Sequence, residues 1–142
     1  MQELTFDDTL TLILAKDSRY HRDAYLFVKD ALDHTQRTVV KERREQYRHV
    51  TGQELLEGIR GYALSQFGPM VEIVFEEWGI RRCEDFGEIV FNMVEIGLLG
   101  KTDEDSREDF RNGYNFPDAF RKPFLPVEKL RATEDVSKPT EA

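Results

Sequence analysis

At 142 residues the chain has the length of one domain, long enough to bury a core without disulfide or metal staples. Ten Phe, five Tyr and one Trp supply large apolar area, and Cys83, the single cysteine, excludes a disulfide within the chain and favours a reducing compartment. The net charge is −8, and the apolar runs, a few residues each, fall far short of the ~20 needed to span a membrane.

The opening residues, MQELTFDD, carry acid where a secretory signal would carry base, so the expectation is a cytoplasmic protein. A first helix is predicted over Phe6–Ala15, with Thr5 as its cap and Asp8 three residues on. Phe6, Leu10, Ile13 and Leu14 share one face. A second helix is predicted over Arg22–His34, joined to the first across Lys16–His21 as a helical hairpin. Ala24, Tyr25, Phe27, Val28, Ala31 and Leu32 give it a broad apolar face.

Residues 36–50, QRTVVKERREQYRHV, show no clean period and are expected to form a mobile basic loop. The alternative is an extension of the second helix, because KERREQ is a good helix former. Val50–Gly68 then encodes a complete helix. Thr51 and Glu54 form a capping box, and Val50 and Leu55 are placed as a hydrophobic staple. Leu55, Ile59, Tyr62 and Ala63 run along one face, and Gly68 followed by Pro69 ends the helix.

A fourth helix is predicted from Pro69 to Trp78–Gly79, with Met70, Val74 and Trp78 along one side. A fifth starts near Asp85, paired with Glu88 three residues later, and continues through Phe86, Ile89, Val90, Met93, Val94 and Gly97. Leu98–Lys101, a polar tip over Thr102–Ser106 and Glu108–Arg111 read as a short β-hairpin. Tyr114, Phe116, Phe120 and Phe124, interleaved with Pro117, Pro123 and Pro126, predict an irregular but ordered aromatic strap over the helices. The expected architecture is mainly α: a five-helix orthogonal bundle with a C-terminal hairpin, one domain over 1–126 and a disordered tail over 127–142.

The chain resembles an uncharacterised family of small bacterial proteins found among planctomycetes and verrucomicrobia. The resemblance covers roughly Phe6–Phe124. It rests on RY at Arg19–Tyr20, AYLFVKDAL at Ala24–Leu32, RHVTGQELLEGIR at Arg48–Arg60, WGI at Trp78–Ile80, DFGEIVFN at Asp85–Asn92 and GLLGKTDEDSREDF at Gly97–Phe110. It implies a shared fold; the family has no established activity, so no functional residues follow from it. The last three helices and the hairpin also look like a winged helix, with helix five in the recognition position and Thr102–Ser106 as the wing. A plain helical bundle remains the other reading, because the link between helices four and five is longer than a compact helix-turn-helix turn.

No motif carries a reaction. Gly97–Thr102 ends like a phosphate-binding loop, but Glu95 stands where the first glycine belongs and Asp103–Asp105 would repel phosphate. Asp85-Phe86-Gly87 matches a kinase tripeptide by letters only. Asp103, Asp105, Glu108 and Asp109 lack the spacing of a calcium loop. His21, His34 and His49 are not at helical ligand spacing from one another, and Cys83 has no cysteine neighbour. His49 with Glu54 and Glu57 is a thin catalytic candidate. The expectation is no metal, no cofactor and no catalytic residue.

What remains is charge. Residues 72–109 hold 4 basic and 12 acidic groups, whereas residues 36–50 hold five basic and two acidic. Either these are ordinary solvated surface or they form complementary patches: Arg37, Lys41, Arg43, Arg44 and Arg48 on one side, Glu84, Asp85 and Glu88 on the other. The leading expectation is a non-enzymatic interaction module that binds a protein partner or itself. The alternative is a nucleic-acid-associated regulator working through the basic loop, since helix five would present acid to phosphate. An enzyme with a site not legible in the sequence comes third.

Overall fold

The structure, a computed structural model, describes residues 5–43, 50–99, 107–111 and 113–126, with 40–43 by backbone alone. Among these residues the fold is mainly α: α1 (Phe6–Lys16), α2 (Arg22–Arg43), α3 (Gly52–Phe67), α4 (Val71–Glu77) and α5 (Cys83–Glu95). Three short turns follow: a 3-10 turn at Arg107–Phe110, a π-helical turn at Pro117–Arg121 and a 3-10 turn at Lys122–Phe124. No helix among the described residues is long and apolar enough to cross a membrane.

Local capping starts α1 and α3. The Thr5 hydroxyl accepts from the Asp8 amide at 3.0 Å, and the Asp8 carboxylate accepts from the Thr5 amide at 3.2 Å. Thr51 and Glu54 repeat the exchange at 3.1 and 3.0 Å. Each box satisfies amides that the first helical turn leaves without a partner. Val50 and Leu55, the expected staple pair, are both buried. At the other end of α3 the Gly68 amide donates to the Leu64 carbonyl, and a 3-10 turn over Gly68–Met70 leads into α4.

The largest correction concerns α2, which runs on to Arg43 where a loop was expected from residue 36. Thr35 and Val39 are buried, continuing the apolar face of Ala24, Val28 and Ala31 by another two turns. The Thr35 hydroxyl is satisfied by donating to the Ala31 carbonyl at 2.7 Å. Opposite it on α3 stands Gly58, where an added Cβ would come within 1.7 Å of Thr35 Oγ1. The backbones of α2 and α3 therefore approach closely, and that contact holds the second half of α2 helical. Residues 44–49 of the expected loop lie outside the described residues.

Other boundaries shift by less. α5 begins at Cys83, and Asp85, not Glu88, reaches back over its start, accepting from the Arg81 and Arg82 amides at 2.8 and 3.2 Å. Val71 and Phe75, not Met70 and Val74, are the buried residues of α4, because the helix proper starts only after the 3-10 turn. Trp78 packs beside them, partly buried. Of the expected hairpin, the tip at Thr102–Ser106 and the end of the first arm, Gly100 and Lys101, lie outside the described residues; what is described of its return arm is the 3-10 turn, which buries Phe110. The tail over 127–142 lies outside them as well.

From Phe116 to Phe124 the strap is helical, not irregular. Asn115 caps it: its side-chain oxygen accepts from the Asp118 amide at 2.8 Å. Phe116 and Phe120 are buried, but Phe124 stays 45% exposed. The core is one cluster reaching from Leu10 to Phe120. Phe75 sits at its centre, between two aromatic groups. Phe27 and Trp78 lie on one side at 5.6 and 6.1 Å; Phe86, Phe116 and Phe120 lie on the other at 5.5, 5.7 and 5.4 Å. Edge-to-face arrangement, as with Phe120 at 89°, is the favourable geometry for such rings.

Candidate interaction surface

Two of the acidic residues singled out in the sequence, Asp85 and Glu88, have partners inside the fold. Asp85, besides holding the start of α5, accepts from the Tyr20 hydroxyl at 2.7 Å. Glu88 is pinned between Arg19 at 3.2 Å and Arg107 at 3.3 Å. Glu84 stands half-buried in the first turn of α5. Of the basic set, Arg37 is exposed on α2, Lys41 and Arg43 lie on the helix with only their backbone described, and Arg44 and Arg48 fall outside the described residues. Of the five basic residues, only Arg37 therefore has a described side chain.

A second polar cluster joins the α1–α2 link to Asn92, further along α5. Arg19 grips Asp17 through two nitrogens, Nε to Oδ1 at 3.0 Å and Nη2 to Oδ2 at 2.8 Å. Asn92 donates to Asp17 and to the Tyr25 hydroxyl, both at 3.0 Å. Arg19's hydrogen bonds hold the Asp17 carboxyl well below the usual carboxylate range, outweighing burial, with Asn92 adding to the effect. Burial first, and then donation to Asp85, pushes the Tyr20 phenol up. Burial likewise raises Tyr25 and Tyr114, so all three phenols remain protonated; Tyr20 and Tyr114 donate, whereas the Tyr25 oxygen accepts from Asn92. Every member of this cluster has a partner, and its chemistry ties the α1–α2 link to α5.

A pH dependence follows from Asp17. Its folded pKa is depressed, so its stabilising contribution is present above the unfolded value of about 3.9 and is lost as pH falls through the folded value. Asp17→Asn is expected to lower the melting temperature at pH 7. The gap from the native chain should shrink steadily between about pH 5 and pH 2. A gap that stays constant over that range would mean that Asp17 acts through packing and not through charge.

Cys83 is buried beneath the start of the strap. Its thiol donates to the Tyr114 carbonyl at 3.3 Å, and the Tyr114 amide donates back to the sulfur at 3.5 Å. Burial raises the thiol's pKa, so it is not poised as a nucleophile. No group of three or more His, Cys, Asp or Glu that could hold a metal occurs among the described residues.

Two grooves remain. One, of about 520 Å³, lies between α2 and α3 and is walled by His34, Thr38, Gln53 and Glu57, with no exposed large apolar side chain. The other, of about 590 Å³, lies between α4 and the strap. Its floor is the buried Ile80, Phe116 and Phe120. Its rim carries Ile73, 56% exposed, and Phe124; Met70, 49% exposed, stands one helical step from Ile73. Three of the four large apolar side chains exposed among the described residues therefore gather here; Leu12 on α1 is the fourth.

This groove is tied together by charge. Glu72 on α4 and Arg121 on the strap form a two-point ion pair, both contacts 2.9 Å, which fixes the two walls relative to each other. Glu76 and Arg81 also line it, and neither side chain has an ion-pair partner among the described residues. Sequence reasoning missed the site, because its walls lie some fifty positions apart. One signal was available: Ile73 is an apolar residue off the buried face of a short helix. Comparison with protein-family models, with curated proteins and with solved structures gave no match.

Proposed function

We propose that the chain is a non-enzymatic interaction module of the cytoplasm that docks a protein partner in the groove between α4 and the strap. The observation that carries this is the exposed pair Ile73 and Phe124 on the rim of a groove whose floor is apolar and whose walls are braced by Glu72 and Arg121. Concave apolar ground with a few placed charges is the usual form of a docking site. The polar groups with displaced pKa values support the same reading. Asp17, Arg19, Tyr20, Tyr25, Cys83, Tyr114 and Asp118 each have a structural partner, and none of them lines the groove.

The test places a photo-crosslinking residue at position 73, 124 or 12 and irradiates cells that express the chain. Light-dependent protein adducts are expected from positions 73 and 124 and not from 12, and Ile73→Asp should abolish the adduct formed at 124. Equal crosslinking from position 12, or none from 73 and 124, would sink the proposal.

A further inference from the structure

We infer that the occupant of the groove is a second copy of this chain, the two related by a twofold axis that sets Glu76 of each against Arg81 of the other. The inference rests on the groove being an interaction surface, as proposed above. It starts from charge. Two copies each carrying −8 repel one another wherever acid meets acid. The charged residues lining this groove are Glu72, Glu76, Arg81 and Arg121, two of each sign, so this patch is locally neutral. Two copies can approach here without the repulsion that the chain's net charge imposes elsewhere.

The signs are also arranged for self-recognition. A twofold contact brings the same patch of both copies together, so every group must find its complement on the patch itself. Glu72 and Arg121 are spent on each other within one copy. The Glu76 and Arg81 side chains have no ion-pair partner among the described residues, one acid and one base on the same groove. An interface with a foreign acidic or basic segment would satisfy only one of them; a second copy satisfies both, twice. The apolar rim supplies Ile73, Phe124 and Met70 from each side. That is a modest patch beside the roughly 800 Å² per partner of a stable interface, so a weak dimer is expected, with a dissociation constant on the order of 10–100 µM.

The experiment is sedimentation equilibrium of the purified full chain from about 10 µM to about 1 mM, at about the physiological ionic strength of 0.15 M. The apparent mass should rise from 16.7 kDa towards twice that value. Ile73→Asp should weaken association by at least about tenfold while leaving the melting temperature unchanged, since Ile73 is exposed. Glu76→Arg alone and Arg81→Glu alone should each weaken it, because each sets like charges face to face; combining them should restore it to within about threefold. A dimer indifferent to Ile73→Asp would place the contact elsewhere and overturn the inference. A chain that stays monomeric at 1 mM yet crosslinks from position 73 to a different protein would overturn the second copy and leave the groove. A monomer with no crosslink from 73 or 124 would remove both.

Discussion

Phe75→Ala is expected to cost about 3–5 kcal/mol of folding stability, the range for deleting a buried aromatic ring. Phe75 is fully buried, and its ring is the contact between Phe27 and Trp78 on one side and Phe86, Phe116 and Phe120 on the other. Removing it leaves a cavity that neither side can close, because each is held by its own backbone element: α2 and α4 on one side, α5 and the strap on the other. Domains of this size are stable by only about 5–15 kcal/mol in total, so the variant should melt roughly 10–20 °C lower. Phe124→Ala, a ring of equal size on the groove rim, provides the contrast and should melt close to the native chain. Similar losses for the two would mean that Phe75 does not join the core as described.

Gly79→Ala should be nearly as damaging, for a different reason. Gly79 has φ of +84°, a conformation that costs a residue with a Cβ about 1–2 kcal/mol. An added Cβ would also lie 2.3 Å from the carbonyl oxygen of Arg19, and a backbone carbonyl cannot swing aside as a side chain can. The neighbouring hydrogen bond from the His21 amide to the Trp78 carbonyl, 3.0 Å, pins the two segments together. The expected total is about 2–5 kcal/mol, strain plus overlap. Gly97 separates the two terms, having φ of +86° but nothing within 4 Å of an added Cβ. Gly97→Ala should show the conformational cost alone. Urea unfolding of the two variants gives the comparison, and equal losses would show that the contact with Arg19 does not matter.

The sequence was most legible where structure is decided locally. Thr5 with Asp8 and Thr51 with Glu54 announce helix starts within four residues, and both starts stand as read. The start of α5 was misplaced because Arg82, at the cap, has no short acceptor side chain; only Asp85 reaching back marks it. The second half of α2 was hidden by its charges. Ala31, Thr35 and Val39 keep the helical spacing through them, but the burial of Thr35 depends on Gly58, 23 positions along the chain. In the strap, Pro117 and Pro123 read as breaks, whereas both sit at the starts of short helical turns, where a missing amide is harmless.

The candidate site was less legible for the same physical reason. Glu84, Asp85 and Glu88 stood out as a run of acid, but the hydroxyl that Asp85 accepts from belongs to Tyr20, and the cations that pair with Glu88 are Arg19 and Arg107, all distant in the chain. Charge in a sequence shows what must be solvated or paired and does not show which. The groove exists only once the strap lies against α4, so no stretch of sequence contains it.

The bonds between Cys83 and Tyr114 give the molecule a built-in clock. The sulfur is the only one of its kind in the chain, and it lies under Leu56, Gly113 and the backbone of Tyr114. A thiol reagent can reach it only when this end of the strap lifts from α5. Because the strap also forms one wall of the groove, the labelling rate of the unmodified protein reports how often that wall comes away. Whatever settles in the groove and braces the wall should slow the clock, giving a readout of occupancy that needs no tag and no label on the partner.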